Sequence, residues 1–212
     1  MNKVLLAGAS GMVGSAVLRQ ALADPRIGEV VAPARRALAT HAKLRNPLVD
    51  FDDLPVDAPW WEVDAVICTL GTTIRDAGSR AAFRKVDFDY PLAVARNALE
   101  HGASTFVLTS ATGASADSRI FYSRTKGELE NALRALGYES LCLVRPGLLE
   151  GARERHRPLE HAGMKLLGAM GPLLPRRYRA VPAEQVAATL LRMALQAGPG
   201  LHIVESEAIG AG

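Results

Sequence analysis

The chain has 212 residues, a formal net charge of +3 and a composition that is 49% hydrophobic and 22% charged. This balance is typical of a folded globular protein and excludes intrinsic disorder. The mildly basic charge is compatible with an anionic small ligand. Because only 5% of the residues are aromatic, stacking platforms are scarce, and we expect no nucleic acid among the partners.

Short apolar segments alternate with helical patterns along the chain. Several segments are apolar throughout, which is typical of parallel strands covered on both faces. The alternation predicts an α/β fold with a doubly wound parallel sheet, formed as a single domain over residues 1–212. The predicted strands are 3–8, 29–34, 48–51, 64–70, 104–110, 140–146 and 201–206. The predicted helices are 12–23, 79–100, 122–136, 160–170 and 183–196.

The first predicted strand runs into a glycine loop, Gly8-x-x-Gly11-x-x-Gly14, which an amphipathic helix follows. A phosphate-binding loop needs a tight turn at Gly8, close approach of a pyrophosphate at Gly11 and close helix–strand packing at Gly14. Free N–H groups and the positive end of the helix dipole then face the phosphates. The loop predicts a Rossmann-type dinucleotide site; glycines that serve packing alone are the alternative. The other loop residues predicted to bind the cofactor are Ser10, Met12 and Val13.

The second predicted strand ends in Ala34-Arg35-Arg36. A site that prefers NAD usually has an acidic side chain here, which binds the ribose 2′-hydroxyl. Two guanidinium groups would instead bind a 2′-phosphate through charge-assisted hydrogen bonds. We therefore predict NADP (NADPH) as the cofactor, with NAD less favoured. A solvated basic loop is the alternative.

Two more strand ends are predicted to contact the cofactor, since ligands of such sheets bind at the carboxyl ends of the strands. Asp50 and Phe51 end the third predicted strand, where a side chain reaches the adenine edge. Leu70 and Gly71 end the fourth, where a small residue lets the backbone approach the cofactor.

The predicted helix at 122–136 carries a lysine on its apolar face. At about 100° per residue, Tyr122, Lys126 and three leucines share that face. A lysine is almost never fully buried unless it is paired. Lys126 therefore either reaches solvent from the end of the apolar stripe or faces a cleft where its charge is used.

Taken together, these residues resemble the short-chain dehydrogenase/reductase superfamily. More closely, the chain is similar to the atypical NAD(P)-binding branch that includes the Tat-interacting-protein-like oxidoreductases. The similarity covers most of the chain and depends on the order and spacing of its motifs. The motifs are GASGMVG (8–14), ARR (34–36), CTLGTT (68–73), VDFDYPLAVARNALEHG (86–102), VLTSATGA (107–114), Tyr122-x-x-x-Lys126 and VRPG (144–147).

The resemblance implies roles for individual residues. Tyr122 would protonate the alkoxide that forms when a hydride reaches a carbonyl, and Lys126 would stabilise the phenolate and bind the nicotinamide ribose. Ser110 matches the serine that hydrogen-bonds the substrate carbonyl, with Thr109 beside it as an alternative. Pro146, in the VRPG motif, is among the predicted cofactor contacts.

One departure from the family concerns the helix after the fourth strand. Many relatives have an asparagine near the start of this helix, which completes a proton relay in some of them. The matching segment here reads Val86-Asp87-Phe88, and Asn97 lies too far along the helix. The sequence therefore does not support a relay through asparagine.

The sequence changes character at 151–181, which is rich in Arg, Pro and Gly. We expect residues 1–147 to form the cofactor-binding core, and 148–212 to supply a small C-terminal substrate flap, the last helix and the last strand. The apolar part at 164–175 would line a pocket for a flat substrate such as a quinone, or dock a second subunit or a membrane surface. The basic residues, which would capture an anion or remain solvated, are Arg153, Arg155, His156, Arg157, His161, Arg176, Arg177 and Arg179.

Three functions are compatible with the sequence. The favoured one is an NADP(H)-dependent oxidoreductase that reduces a carbonyl- or quinone-type small molecule with Tyr122 as the acid. An NADP-binding regulator or scaffold with little turnover is the first alternative. A sugar-nucleotide epimerase or dehydratase is the second, although little chain follows residue 147 to build the large substrate domain of such enzymes.

Cys68 and Cys142 lie in apolar segments, and we expect them to be buried free thiols of a reducing compartment. No cysteine–histidine cluster has the spacing of a metal site, so no metal is expected. Neither a signal peptide nor a transmembrane segment is predicted. We therefore expect a cytoplasmic protein, with a homodimer as a candidate assembly.

Overall fold

The computed structural model describes residues 2–150 and 180–210, and all strands of this part belong to one sheet. The strands are β1 (Asn2–Ala7), β2 (Ile27–Val31), β3 (Leu44–Arg45), β4 (Ala65–Cys68), β5 (Thr105–Thr109), β6 (Ser140–Arg145) and β7 (Gly200–Glu205). The helices are α1 (Met12–Ala23), α2 (Ile74–Ala77), α3 (Arg80–Arg84), α4 (Tyr90–Glu100), α5 (Phe121–Arg134) and α6 (Ala183–Gln196). The shorter helical turns are a π turn between α3 and α4 (Lys85–Asp89) and two 3-10 turns (Pro59–Trp61 and Ser206–Ala208).

The order of the strands is β3-β2-β1-β4-β5-β6-β7, and every neighbouring pair is parallel. This arrangement confirms the predicted α/β fold with a Rossmann-type parallel sheet. The chain runs outward from β1 to β3, returns to the centre, and then runs outward from β4 to β7. The crevice between the ends of β1 and β4 is the position at which such sheets bind their ligands.

Both faces of the sheet are covered, which explains why the strands are apolar throughout. In β1, Leu5 and Ala7 face one apolar core, while Val4 and Leu6 face the other. Helices α4 and α5 cover the first core, and α1 and α6 cover the second. Leu5 and Leu6 are both 0% exposed, and burial of each leucine contributes about 1.5–3 kcal/mol to folding.

The predicted third strand at 48–51 is wrong, because β3 is shorter and lies before Pro47. Pro47 has no N–H group for the ladder, and the side chain of Asn46 donates to the carbonyl oxygen of Ala32 at 2.6 Å in place of a backbone bond. Beyond it, Leu48 keeps one isolated parallel bridge and is 65% exposed. The apolar residues of 48–51 therefore continue the edge only briefly before the chain turns away.

The predicted helix at 79–100 is present but not uniform. Ser79 caps α3 by accepting a hydrogen bond from the N–H of Ala82, and the helix then widens into the π turn before α4 begins. Such turns often occur at functional sites, and Asp87 in this turn is 1% exposed. The predicted helix at 160–170 lies outside the described residues. Among the helices that the structure describes, none has both the length and the hydropathy needed to cross a bilayer.

Candidate active site

The glycine loop has the geometry of a phosphate cradle. Gly8 adopts a left-handed backbone conformation with φ of +93°, and a Cβ atom there would lie 2.7 Å from Thr69 Oγ1. A Cβ atom at Gly14 would lie 2.0 Å from the carbonyl oxygen of Gly8. Side chains are excluded from both positions because contacts this short are forbidden. The two glycines therefore hold β1, the loop and α1 close together.

The N-terminus of α1 leaves this loop open to a ligand. Gly11 begins the helix without a side-chain cap, so the N–H groups of the first turn remain available at the positive end of the helix dipole. A pyrophosphate group fits this arrangement of donors. Around it, Ser10 and Met12 are exposed and Val13 is buried.

Two exposed arginines, Arg35 and Arg36, follow the end of β2. Neither forms an ion pair with any residue in 2–150 or 180–210. Burial and a 2.6 Å hydrogen bond to Asp52 raise the pKa of Tyr90 to about 12, while the charge of Arg35 opposes this rise. Both guanidinium groups are therefore available to an anion.

The two residues predicted to end the third strand lie in the turn after it. Phe51 is 8% exposed and its ring centroid lies 5.5 Å from that of Tyr90, so Phe51 is a core residue. Asp50 is exposed, and its carboxylate accepts the N–H of Asp52 at 3.0 Å. Of the two, Asp50 is the one whose side chain is open to a ligand.

A buried ion pair lies at the centre of the predicted catalytic residues. Lys126 Nζ is 2.8 Å from Asp87 Oδ1, and the two residues are 4% and 1% exposed. The other carboxylate oxygen, Asp87 Oδ2, accepts the backbone N–H of Thr72 at 2.8 Å. The lysine on the apolar face of α5 is therefore buried and paired, and it does not extend along the surface into solvent.

The groups around Lys126 keep it charged. Burial disfavours the ammonium form, but the Asp87 carboxylate, followed by Tyr122, outweighs burial and raises the pKa of Lys126 above its ordinary value. Cys68 faces Lys126 from β4, and burial raises the pKa of that thiol to about 12, so the thiol stays neutral. Lys126 is thus a fixed positive charge one helical turn from Tyr122.

Tyr122 and Gly71 connect the buried pair with the surface. Tyr122 is 36% exposed. A Cβ atom at Gly71 would lie 3.3 Å from Asp87 Oδ1 and 3.7 Å from Lys126 Nζ, so only a glycine backbone covers the pair there. Leu70, just before it, packs against the core. The segment after β4 therefore packs its backbone directly over the Lys126–Asp87 pair.

Ser110 is placed differently from what its predicted role requires. It is 4% exposed, and its Oγ donates to Glu130 Oε1 at 2.6 Å. Glu130 is 1% exposed, and Arg145 binds its two oxygens at 2.9 and 2.6 Å. Because a serine hydroxyl has one proton, Ser110 in this arrangement has none to donate to a substrate carbonyl. The alternative, Thr109, has a buried hydroxyl with no hydrogen-bond partner among the described residues.

Sequence reasoning missed two buried acids, Asp87 and Glu130, as site residues. A signal for Glu130 was present, since it follows Lys126 by one turn on the apolar face of α5. Asp87 stood at the position where the family pattern was broken.

Pro146 is buried, and its carbonyl oxygen accepts the N–H of Thr112 at 3.0 Å. The predicted basic residues from Arg153 to Arg179 lie outside the described residues.

Comparison with known families places the whole arrangement in context. Residues 4–169 match the family described as the NAD dependent epimerase/dehydratase family. The chain belongs to this family. Its sheet, glycine loop and strand order are those of an NAD(P)-binding Rossmann fold, which supports a nicotinamide cofactor.

Individual proteins with similar sequences indicate the branch of the family to which the chain is most similar. "Protein fmp52-1, mitochondrial" from Aspergillus terreus is 37% identical over an alignment 184 positions long, which covers 81% of this chain and 77% of that protein. "Protein HTATIP2" from Rattus norvegicus is 34% identical over an alignment 214 positions long, which covers 98% of this chain and 88% of that protein. The second relative confirms the similarity to the Tat-interacting-protein-like branch of the short-chain dehydrogenase/reductase superfamily.

The relatives also correct one expectation. The predicted cytoplasmic location is wrong, because the relatives from Aspergillus terreus, Emericella nidulans and Eremothecium gossypii are all named as mitochondrial proteins.

Solved structures share the fold at low sequence identity. A short chain dehydrogenase family protein from Francisella tularensis has a TM-score of 0.71 at 14% identity, with 98% of each chain covered. MoeE5 in complex with UDP-glucose and NAD has a TM-score of 0.69 at 18% identity, with 96% of this chain and 76% of that chain covered. Both likenesses concern the fold.

Proposed function

We propose that this family member is an NADP(H)-dependent oxidoreductase that reduces a carbonyl- or quinone-type small molecule, with Tyr122 as the proton donor. One observation carries the proposal: a half-exposed tyrosine stands one turn before a buried lysine, whose charge is held by a carboxylate 2.8 Å away. A protein that only senses a nucleotide has no need of a solvent-reaching acid next to a fixed positive charge.

The residues around the crevice fit the cofactor of the proposal. The first turn of α1 would hold the pyrophosphate, and Arg35 and Arg36 would hold the 2′-phosphate through charge-assisted hydrogen bonds. Lys126 would bind the nicotinamide ribose beside the backbone of Gly71. When bound, the cofactor supplies a hydride to the carbonyl carbon of the substrate.

The residues of the chain supply and stabilise the proton side of the reaction. The hydroxyl of Tyr122 donates a hydrogen bond to the carbonyl oxygen and then transfers its proton there, so that hydride and proton together give the alcohol. The positive charge of Lys126 stabilises the phenolate that remains on Tyr122. Because Tyr122 is 36% exposed, its oxygen regains a proton from water. Asp87 offsets part of the lysine's charge and keeps the ammonium group in place.

The test is a comparison of two tyrosine substitutions in a panel of carbonyl and quinone substrates. Tyr122→Phe should lower turnover by a factor of about 10² or more, since general-acid catalysis contributes that much, and should leave NADPH affinity nearly unchanged. The matched control is Tyr138→Phe, which removes a buried hydroxyl that donates to the carbonyl oxygen of Ala95 at 2.6 Å. Tyr138→Phe should keep its turnover. Full turnover in Tyr122→Phe would show that the proposal is wrong.

The position of Ser110 favours a second candidate, an NADP-binding regulator or scaffold with little turnover. With its proton donated to Glu130, Ser110 does not help to polarise a carbonyl, and catalysis depends on Tyr122 alone. A regulator would bind a partner protein in a cofactor-dependent way, and that binding would survive Tyr122→Phe. A sugar-nucleotide epimerase would instead interconvert its substrate without net loss of NADPH.

A further inference from the structure

We propose that Asp87 is a positioning residue that fixes both the place and the charge of Lys126, and that it acts on the reaction through Lys126 without touching the substrate. The inference deepens the proposed function, and it rests on that function only for its effect on turnover. The ion pair itself forms within the chain and needs no ligand.

Contacts other than the ion pair with Lys126 hold the carboxylate of Asp87 in place. Its Oδ2 atom accepts the N–H of Thr72 at 2.8 Å, which ties it to the segment after β4. Its backbone belongs to the π turn between α3 and α4, and the residue is 1% exposed. Oδ1 then lies 2.8 Å from Lys126 Nζ. The carboxylate sets the place of the ammonium group, because it is anchored independently of the lysine.

The carboxylate also decides the charge of the lysine. Lys126 is 4% exposed, and a buried amine without a partner loses its proton easily. The other titratable groups that face it are Tyr122 on its own helix and Cys68 on β4. A phenol and a thiol are much weaker acids than a carboxylic acid. Arg84 and Glu128 form a separate ion pair. Their side chains are 41% and 33% exposed, so solvent screens the charges of that pair.

Asparagine at this position would keep the hydrogen bond to Thr72 but not the negative charge. Its side-chain oxygen would still accept the N–H of Thr72, but it would carry no charge to hold the ammonium form of Lys126. Asp87→Asn therefore separates the two parts of the proposal, since the shape of the site is kept while the charge is removed.

The direct test observes the titration of the lysines by NMR in the protein without cofactor. The chain has five lysines, at positions 3, 43, 85, 126 and 165, so carbon-13 labelling of the side chains gives few signals, and Lys126→Arg identifies the one that matters. In the wild type, Lys126 should keep its proton to a higher pH than a lysine in an unstructured peptide. In Asp87→Asn, Lys126 should lose its proton at a lower pH than such a lysine, because burial then acts without a counter-charge.

A matched control removes the partner of a different lysine. Glu29→Gln deletes the carboxylate 3.6 Å from Lys3, in a pair whose side chains are 27% and 38% exposed. Solvent screens that pair, so Glu29→Gln should shift Lys3 only slightly and leave Lys126 unchanged. The proposal is overturned if Lys126 titrates alike in the wild type and in Asp87→Asn. If Asp87→Asn does not fold, the wild type decides, and a Lys126 that titrates with or before a lysine in an unstructured peptide overturns the proposal.

The effect on turnover is the second arm of the test. In Asp87→Asn, turnover should fall further as the pH rises, because more of the lysine is neutral, whereas a purely structural defect would lower turnover equally at every pH. A uniform loss would therefore contradict the role in catalysis. If no substrate is turned over even by the wild type, the proposed function fails, while the NMR titration still decides the role of Asp87.

Discussion

Ser110 donates its hydrogen bond to the buried carboxylate of Glu130 at 2.6 Å, and Glu130 pairs in turn with Arg145 at the end of β6. Arg145 also donates to Glu205 of β7 at 2.8 Å. The network therefore joins β5, α5, β6 and β7 beneath the crevice. Each member has its partner, so the network stabilises the strand ends and occupies the proton of Ser110.

Ser110→Ala should therefore lower turnover by less than about tenfold. The loss of one donor to a developing oxyanion typically lowers turnover by about 10²–10³. The size of the loss therefore distinguishes a structural role of Ser110 from a role in binding the substrate. The free energy of unfolding should fall by about 1.5–3 kcal/mol, because the lost hydrogen bond is to a buried carboxylate. Steady-state kinetics and denaturant unfolding of the same variant provide both numbers. A loss of turnover near a hundredfold would assign Ser110 to the substrate after all.

Gly14→Ala should disrupt the glycine loop. The new Cβ atom would lie 2.0 Å from the carbonyl oxygen of Gly8, which is backbone and cannot move aside cheaply. Overpacking of this kind lowers the free energy of unfolding by about 1–3 kcal/mol, and displacement of α1 should also weaken nucleotide binding.

The matched control for this substitution is Gly198→Ala. A Cβ atom at Gly198 meets nothing within 4 Å, so stability and nucleotide binding should both be unchanged. Chemical unfolding and fluorescence titration compare the two variants. Wild-type stability and affinity in Gly14→Ala would contradict the close packing of the loop.

The two cysteines should be unreactive in the folded protein. Cys68 and Cys142 are buried, and burial raises the pKa of Cys68 to about 12 and the pKa of Cys142 above its ordinary value. The thiolate is the reactive form, so both groups should resist a disulfide reagent until denaturant is added. Two thiols should then react per chain. Rapid reaction of either thiol in the native protein would contradict its burial next to the sheet core.

The sequence was sufficient to predict the sheet, because strands that are buried on both faces have an apolar composition throughout. It was not sufficient for β3, since an edge strand is decided by single contacts. The Asn46 side chain replaces a backbone bond and Pro47 removes a donor, and neither effect appears in an apolar pattern. The predicted strand at 48–51 therefore covers an apolar segment that keeps only one isolated bridge to the edge of the sheet.

In the site, too, relationships between residues close in the sequence could be predicted, whereas contacts between distant residues could not. Tyr122 and Lys126 were found because one turn of helix separates them. Their partner Asp87 was not, because it reaches Lys126 only through the packing of the π turn against α5. The direction of the Ser110 hydroxyl was also hidden, since it depends on Glu130, twenty residues away along the chain.

The central claim is that this site binds NADPH and distinguishes it from NADH. A fluorescence titration should be made with each nucleotide on the wild type, on Arg35→Ala/Arg36→Ala, and on Arg96→Ala/Arg192→Ala as a control that removes the same charge from α4 and α6. Charge-assisted hydrogen bonds contribute about 1.5–3 kcal/mol, so NADPH should bind the wild type and the control about 10- to 100-fold more tightly than NADH. The preference should vanish in Arg35→Ala/Arg36→Ala. Equal binding of both nucleotides to the wild type, or no binding of either, would contradict the account.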